Sequence, residues 1–197
     1  MEDGVIKFSC DWSQEPLGLP VSVELIQWRD KMHQLGLIGV YEKLGVGYGN
    51  ISIKTPQGIF ISGSQTGHIY PIQGKDFSLI DSYSIEKNQV SCRGEVKASS
   101  ESLTHAAVYE ADDTINAVIH IHHQQLWLDL MDKVPTSSKD VPYGTPQMAG
   151  EIKRLFDEST LSQDKIMVMA GHEEGIIAFG KDLEEAGAVI LNLRLPQ

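Results

Sequence analysis

Basic residues are scarce in this chain: 16 lysines and arginines stand against 27 aspartates and glutamates, a formal net charge of −11. A surface of that sign repels phosphate backbones and anionic membranes, so neither nucleic acid nor a membrane is an expected partner. It offers no long-range attraction to an anionic substrate either, so a phosphate ester would have to be held by local donors. Solubility alone is a sufficient reason for such a surface. Cysteine is scarce too. Cys10 and Cys92 lie outside any C-x-x-C pair, which excludes a disulfide framework and leaves buried or incidental thiols. No apolar run is long enough to span a bilayer as a helix. Internal repeats and low-complexity tracts are absent. Met1-Glu2-Asp3-Gly4 is acidic where a secretory signal is basic, and no apolar segment follows it. Cytoplasmic residence is the expectation.

What is present is ordinary for a globular protein, with 41% hydrophobic and 22% charged residues. The 197 residues suffice for one well-buried core and would be cramped as two, so a single domain over 1–197 is expected. Residues 1–18 read as irregular, punctuated by Pro16 and Gly18. Val23, Leu25, Ile26, Met32, Leu35 and Leu37 recur at roughly helical spacing, predicting a helix from about Val21 to Leu37 that Gly39 ends. Asn50-Ile51-Ser52-Ile53-Lys54 alternates as a half-buried strand does, Pro56-Gln57-Gly58 reads as a turn, and Ile59-Phe60-Ile61 as the returning strand. Ser78 to Ser91 predicts further short strands turning at Lys87-Asn88.

Ser99 to Ala111 reads as a helix that Ser99 or Ser100 can cap. A strand follows from Asn116 to His122, then helices over Gln124–Met131 and Thr145–Glu158. Lys165–Ala170 and Gly175–Phe179 form a strand pair, and Leu183–Leu193 a closing helix. Strands and helices mixed without strict alternation predict an α/β layered domain around one sheet.

His120 and His122 carry the sharpest chemical signal. On a strand, residues i and i+2 point to one face, so two imidazoles at that spacing can grip one ion. The bland alternative is a pair of histidines at a solvated strand end. Ala117-Val118-Ile119 places the pair directly after an apolar stretch, and His172 offers a third nitrogen after another. Catalytic zinc sites often use three protein ligands and an open position. His123 competes, but on an ideal strand it faces the other side. His33 and His68 have no visible metal partner.

Glu101 is the candidate acid/base. From spacing alone, its place at a helix start comes first, because a carboxylate there is favourable for the helix dipole. His105, one turn on, reads as a packing or carboxylate-orienting group. Gly49-Asn50, Thr66-Gly67 and Ser99-Ser100 are small-residue pairs in separate loops. Glycine lets a backbone approach an anion, and hydroxyls and helix starts donate to it. Each pair alone is also common turn chemistry.

Taken in order, these segments resemble the class II aldolase/adducin family. They are Tyr48-Gly49-Asn50-Ile51-Ser52, Ile61-Ser62-Gly63-Ser64-Gln65-Thr66-Gly67, Ser99-Ser100-Glu101-Ser102-Leu103-Thr104-His105, Ala117-Val118-Ile119-His120-Ile121-His122, and Gly171-His172 leading to Leu183-Glu184-Glu185-Ala186. Together they cover about residues 21–193. The resemblance implies a three-layer α/β/α fold around a mainly antiparallel sheet. It implies a divalent metal, usually Zn2+, on His120, His122 and His172, with Glu101 as the acid/base carboxylate. Gly49, Asn50, Thr66, Gly67, Ser99 and Ser100 match positions that hold a substrate phosphate. A homo-oligomer, in many members a tetramer, is implied as well. Two departures stand out: Glu173-Glu174 separate His172 from Gly175, and no tyrosine follows His172. Tyr143 is the candidate to replace the tail tyrosine that aldolases of this family use.

The expected function is a metal-dependent lyase of the aldolase type, cleaving a small phosphorylated hydroxycarbonyl or sugar compound through a metal-stabilised enediolate. The same chemistry serves a sugar-phosphate 4-epimerase or a dehydratase of the methylthioribulose-1-phosphate type. A non-catalytic adducin-like interaction module is the rival of another class, and a purely structural metal site with four closed ligands is a third reading.

Overall fold

The computed structural model describes residues 4–193; the ends of the expected 1–197 domain, 1–3 and 194–197, lie outside the described residues. Its centre is an eight-stranded sheet. In chain order the strands are β1 (Ser9–Gln14), β4 (Asn50–Thr55), β5 (Gly58–Ser62), β6 (Phe77–Ser84), β7 (Gln89–Gly94), β8 (Ala117–His122), β9 (Ile166–Val168) and β10 (Gly175–Gly180). A separate ribbon is formed by β2 (Gly39–Tyr41) and β3 (Val46–Tyr48). Across the sheet the order is β1-β7-β6-β5-β4-β8-β10-β9. Every neighbouring pair is antiparallel except β1 with β7. The helices are α1 (Val23–Gln34), α2 (Ser102–Ala111), α3 (Gln124–Leu130), α4 (Pro146–Glu158), α5 (Leu161–Asp164) and α6 (Leu183–Leu191).

Strand alternation splits the interior into two cores, one on each face of the sheet. Val118, Ile177, Phe179, Ile59 and Ile61 face the core shared with Leu103 and Val108 of α2 and Met148, Ile152 and Leu155 of α4. Ala117, Ile119, Ile121, Ile176, Ala178 and Phe60 face the other, shared with Leu25, Trp28 and Met32 of α1 and Ala186 and Ile190 of α6. The result is the expected α/β/α layering around a mostly antiparallel sheet. All six residues of β8 are buried, as a central strand between two helical layers requires.

The helix starts are set locally. Thr145 caps α4, its hydroxyl accepting from Met148 N at 3.3 Å, with Pro146 in the first turn. Asp182 caps α6 by accepting from Glu185 N at 2.8 Å. The helix α2 differs from expectation, since it starts at Ser102, after Ser99 and Ser100. Neither serine caps it. Ser99 Oγ instead accepts from Glu101 N at 3.2 Å, closing a turn just ahead of the helix.

The N-terminal reading needs correcting as well. Within 1–18, Ser9–Gln14 is an edge strand, parallel to β7 from the Ser9–Gln89 pair to the Gln14–Gly94 pair. In Ser-Cys-Asp-Trp-Ser-Gln only Cys10 and Trp12 carry the alternation, half-buried against the core on the α2 side, and two apolar positions are too few to read as a strand; the backbone ladder to β7 adds the rest of the hold. Trp12 Nε1 adds a bond to Gly94 O at 3.0 Å. The ribbon of β2 and β3 was also invisible, because three-residue strands carry too little period to read.

Candidate metal centre

The two faces of β8 determine where its histidines go. Val118 packs under α2, and His120 and His122 share its parity, so both rings leave the sheet on the α2 side. Glu101 stands at the start of α2, directly above them. His172 arrives from the turn between β9 and β10, held by His172 N on Met169 O at 3.0 Å and Gly175 N on His172 O at 2.9 Å. The three rings converge, with centroids 4.8 Å (120–122), 5.2 Å (120–172) and 4.7 Å (122–172) apart. Each offers a nitrogen within 4.8 Å of the others, and all three are buried.

Hydrogen bonds orient these rings from behind. His120 Nδ1 lies 3.2 Å from Ile176 O, which can only accept, so Nδ1 carries the proton. Its Nε2 then presents a lone pair 3.0 Å from His122 Nε2. His122 Nδ1 is engaged by the Tyr41 hydroxyl at 2.9 Å. Two facing lone pairs repel unless a cation lies between them. Tetrahedral nitrogen ligands at about 2.0–2.1 Å from zinc stand roughly 3.3 Å apart, close to this spacing.

Glu101 strengthens the fit. It is 2% exposed, and neither carboxylate oxygen has a well-formed hydrogen bond. His172 Nδ1 lies 3.1 Å and His120 Nε2 3.8 Å from it. Burial pushes the carboxyl upward; the neighbouring imidazoles of His120 and His172, with Thr104, outweigh it and bring it to about 2. The carboxylate is therefore ionised. A buried anion of this kind beside imidazole nitrogens is a position that a bound cation would satisfy. The side chain makes no capping hydrogen bond to α2, so helix capping does not explain this glutamate. Burial foremost, with His120 and His172 crowding the same space, drives His122 well below its ordinary value, favouring the neutral ring that binds metals.

The cavity over these groups is lined by Gly49, Asn50, Thr66, Gly67, Ser99, Ser100, Glu101, His120, His122 and His172, among others. The sequence thus named most of the lining, and the fold brings five separate segments to one place. The lining holds no lysine or arginine among the described residues. An anion there would rest on hydroxyls and backbone N–H groups. Asn50 Oδ1 is buried without a hydrogen-bond partner in the structure. Gly49 and Gly67 have packing reasons too. Gly49 has φ +70, and a Cβ on Gly67 would stand 1.9 Å from Gly39 O. Behind the Thr66–Gly67 loop, buried Arg29 of α1 donates to Thr66 O at 2.6 Å, Gly67 O at 3.1 Å, and Ile69 O.

Tyr143 lies beside this lining. Its ring stacks on His172 at 4.3 Å, while its hydroxyl meets the backbone of Val5, receiving from N at 3.2 Å and reaching O at 3.3 Å. His123 points away from the cluster and accepts from Leu126 N at the start of α3. His105 is fully buried against Ser52 Oγ at 2.7 Å, which also meets Tyr109 OH at 2.7 Å. Three neighbours went unnoticed as site groups in the sequence: Tyr48, which lines the cavity, and Tyr41 and Glu174, which stand behind His122. The only sequence sign of Glu174 was the spacer between His172 and Gly175.

Comparison with known proteins bears on the fold and the family. L-fuculose-1-phosphate aldolase from Thermus thermophilus superposes with a TM-score of 0.60 at 20% identity, over 85% of this chain and 86% of that one. A second L-fuculose 1-phosphate aldolase gives 0.63 at 23%, over 87% and 82%. YgbL from Escherichia coli, provisionally an aldolase/epimerase/decarboxylase, gives 0.60 at 19%, over 86% and 83%. At these identities the likeness establishes the fold alone. The model of the Class II Aldolase and Adducin N-terminal domain matches residues 37–194, which takes in every element from β2 onward and every residue of the histidine cluster. With that match over most of its length, the chain belongs to the class II aldolase/adducin N-terminal domain family.

Proposed function

We propose that this protein is a divalent-metal-dependent lyase of the aldolase type, with Zn2+ as its metal and a small phosphorylated hydroxycarbonyl or sugar compound as its substrate. One observation carries the reading: three buried imidazoles converge beside a buried carboxylate whose oxygens have no well-formed hydrogen bond. His120, His122 and His172 would hold the ion. Bound there, a divalent ion supplies Lewis-acid polarisation of carbonyl and hydroxyl oxygens and stabilises negative charge on them. Three protein ligands leave room for substrate oxygens, where a closed four-ligand site would not.

The remaining residues do the positioning and the proton work. Glu101, ionised and 3.1 Å from His172, is suited to take a proton from a substrate carbon or hydroxyl and to return it. Ser99 and Ser100 offer hydroxyls, and Gly49 and Gly67 offer backbone approached without a side chain; the Thr66 hydroxyl is given to Gly63 O at 2.7 Å and shapes the loop. Asn50 adds a polar amide. Together they form the proposed phosphate pocket. Arg29, bound to the carbonyls of Thr66 and Gly67 and paired with Asp30 at 3.5 Å, holds this loop in place from behind. Tyr143 would serve proton transfer only if its hydroxyl left Val5.

That last contact favours a second reading. With the Tyr143 hydroxyl occupied, the proton work falls to Glu101. A sugar-phosphate 4-epimerase or a dehydratase of the methylthioribulose-1-phosphate type, using the same ion and Glu101, is the reading that stands beside the lyase. The presence of all three histidines disfavours a non-catalytic adducin-like module. We extend the proposal to a single domain over 1–197 assembled as a homo-oligomer, as a tetramer on the family's precedent. Product analysis with zinc-loaded protein on a panel of sugar phosphates tests the reading. Two carbonyl fragments mark the aldolase, an isomeric sugar phosphate the epimerase, and loss of water the dehydratase. No turnover of any phosphorylated substrate would overturn the enzymatic proposal.

A further inference from the structure

We infer that Tyr41 and Glu174 form a positioning relay that fixes His122 as a metal ligand. The inference rests on the metal-centre reading and adds two residues to it. Glu173 and Glu174 separate His172 from Gly175, and the structure gives this spacer a definite shape. Glu174 sits at φ 68, a left-handed conformation that a non-glycine residue seldom adopts. Its carbonyl accepts from His123 N at 3.1 Å, which ties the turn to the end of β8. The Glu174 side chain reaches across to β2, where the Tyr41 hydroxyl meets Oε2 at 2.7 Å. The same hydroxyl lies 2.9 Å from His122 Nδ1.

Proton counting decides the direction of both bonds. A carboxylate only accepts, so the single phenolic proton of Tyr41 goes to Glu174. The Tyr41 oxygen then accepts, and His122 Nδ1 must carry the proton it receives. This leaves His122 Nε2 bare and directed at His120 Nε2, 3.0 Å away. On His120 the Ile176 carbonyl does the same work at 3.2 Å. One ligand is thus oriented by backbone and the other by a tyrosine–carboxylate pair. The carboxylate polarises the phenol and makes its oxygen a stronger acceptor, which raises the basicity of the ring behind which it stands. The spacer after His172 therefore supplies a function, because Glu174 is the residue that completes the relay. Neither Tyr41 nor Glu174 is placed on the substrate; both act through His122.

The test is zinc affinity of the intact protein, measured by competition with a chromophoric chelator after dialysis against a stronger one. The variants are Tyr41→Phe, Glu174→Ala and Glu174→Gln, with the exposed neighbour Glu173→Gln as control. Tyr41→Phe and Glu174→Ala should each weaken zinc binding about 10–100-fold. Glu174→Gln keeps an oxygen that can accept the phenolic proton and should recover part of the loss. The Tyr41→Phe/Glu174→Ala double variant should bind no worse than Tyr41→Phe alone, since the two groups act in series. Unchanged affinity in Tyr41→Phe, or fully additive losses in the double variant, would overturn the relay while leaving the metal centre standing. Absence of zinc binding by the wild type would remove the metal reading itself, and the relay with it.

Discussion

His120 and His122 bring their Nε2 atoms to 3.0 Å while their Nδ1 atoms face opposite supports, a backbone carbonyl for one and a tyrosine hydroxyl for the other. That pairing fixes which nitrogen of each ring is available, and it turns a two-residue spacing into a site with a defined centre.

Glu101→Gln separates chemistry from stability. The side chain makes no capping bond to α2, so its loss should cost the helix little. As the group that moves a proton, its replacement should lower kcat about 10²–10⁴-fold, because glutamine cannot exchange that proton. Steady-state rates are read with metal content on the same sample. Turnover within a factor of two of wild type would refute the role.

Ser100→Ala tests the phosphate pocket. If Ser100 only grips a remote phosphate, KM should rise more than kcat falls. Inorganic phosphate should compete with substrate, and a dephosphorylated analogue should bind more weakly. Equal affinity for the two analogues would remove this pocket from the account.

Arg29→Met addresses the loop behind it. The buried guanidinium gathers the carbonyls of Thr66, Gly67 and Ile69, which its removal leaves without those donors. A loss of about 3 kcal/mol in urea unfolding is expected, the scale of breaking buried charge-assisted bonds. A loss under about 0.5 kcal/mol would place the loop's support elsewhere.

His105 predicts a pH dependence. Burial foremost, and then the neighbouring His120, bring its ring down to about 3, with Glu101 opposing. In the unfolded chain the same ring titrates near 6.5. The unfolded state therefore binds the extra proton first, and stability should fall as pH drops below about 6.5, continuing toward 3. Unfolding midpoints at pH 7.5 and 5 in the presence of chelator, compared with His105→Gln, isolate this contribution. An equal pH slope in the variant would contradict it.

Much of this fold was legible because its strands alternate cleanly. Asn50–Thr55 and Gly58–Ser62 form the expected hairpin, and Ala117–His122 the expected central strand. The histidine pair was legible for the same reason, since a period of two puts both rings on one face. Edge strand β1 was not, because its alternation rests on two apolar residues, Cys10 and Trp12, too few to stand out from an irregular segment. The helix start at Ser102 was misplaced by two serines whose hydroxyl chemistry serves a turn instead. Tyr41 and Glu174 were beyond reach for a different reason. Their meeting depends on a ribbon and a turn 133 positions apart in the chain, and no local spacing encodes it.

The central claim is that His120, His122 and His172 hold one divalent ion, and metal-to-protein stoichiometry tests it most directly. Elemental analysis of the purified wild type should give about one divalent ion per chain, with zinc predominant. In His120→Ala/His122→Ala the value should fall close to zero, because one remaining imidazole binds weakly. Full occupancy in that double variant, or a wild type that takes up no divalent ion when supplied with zinc, would contradict the account.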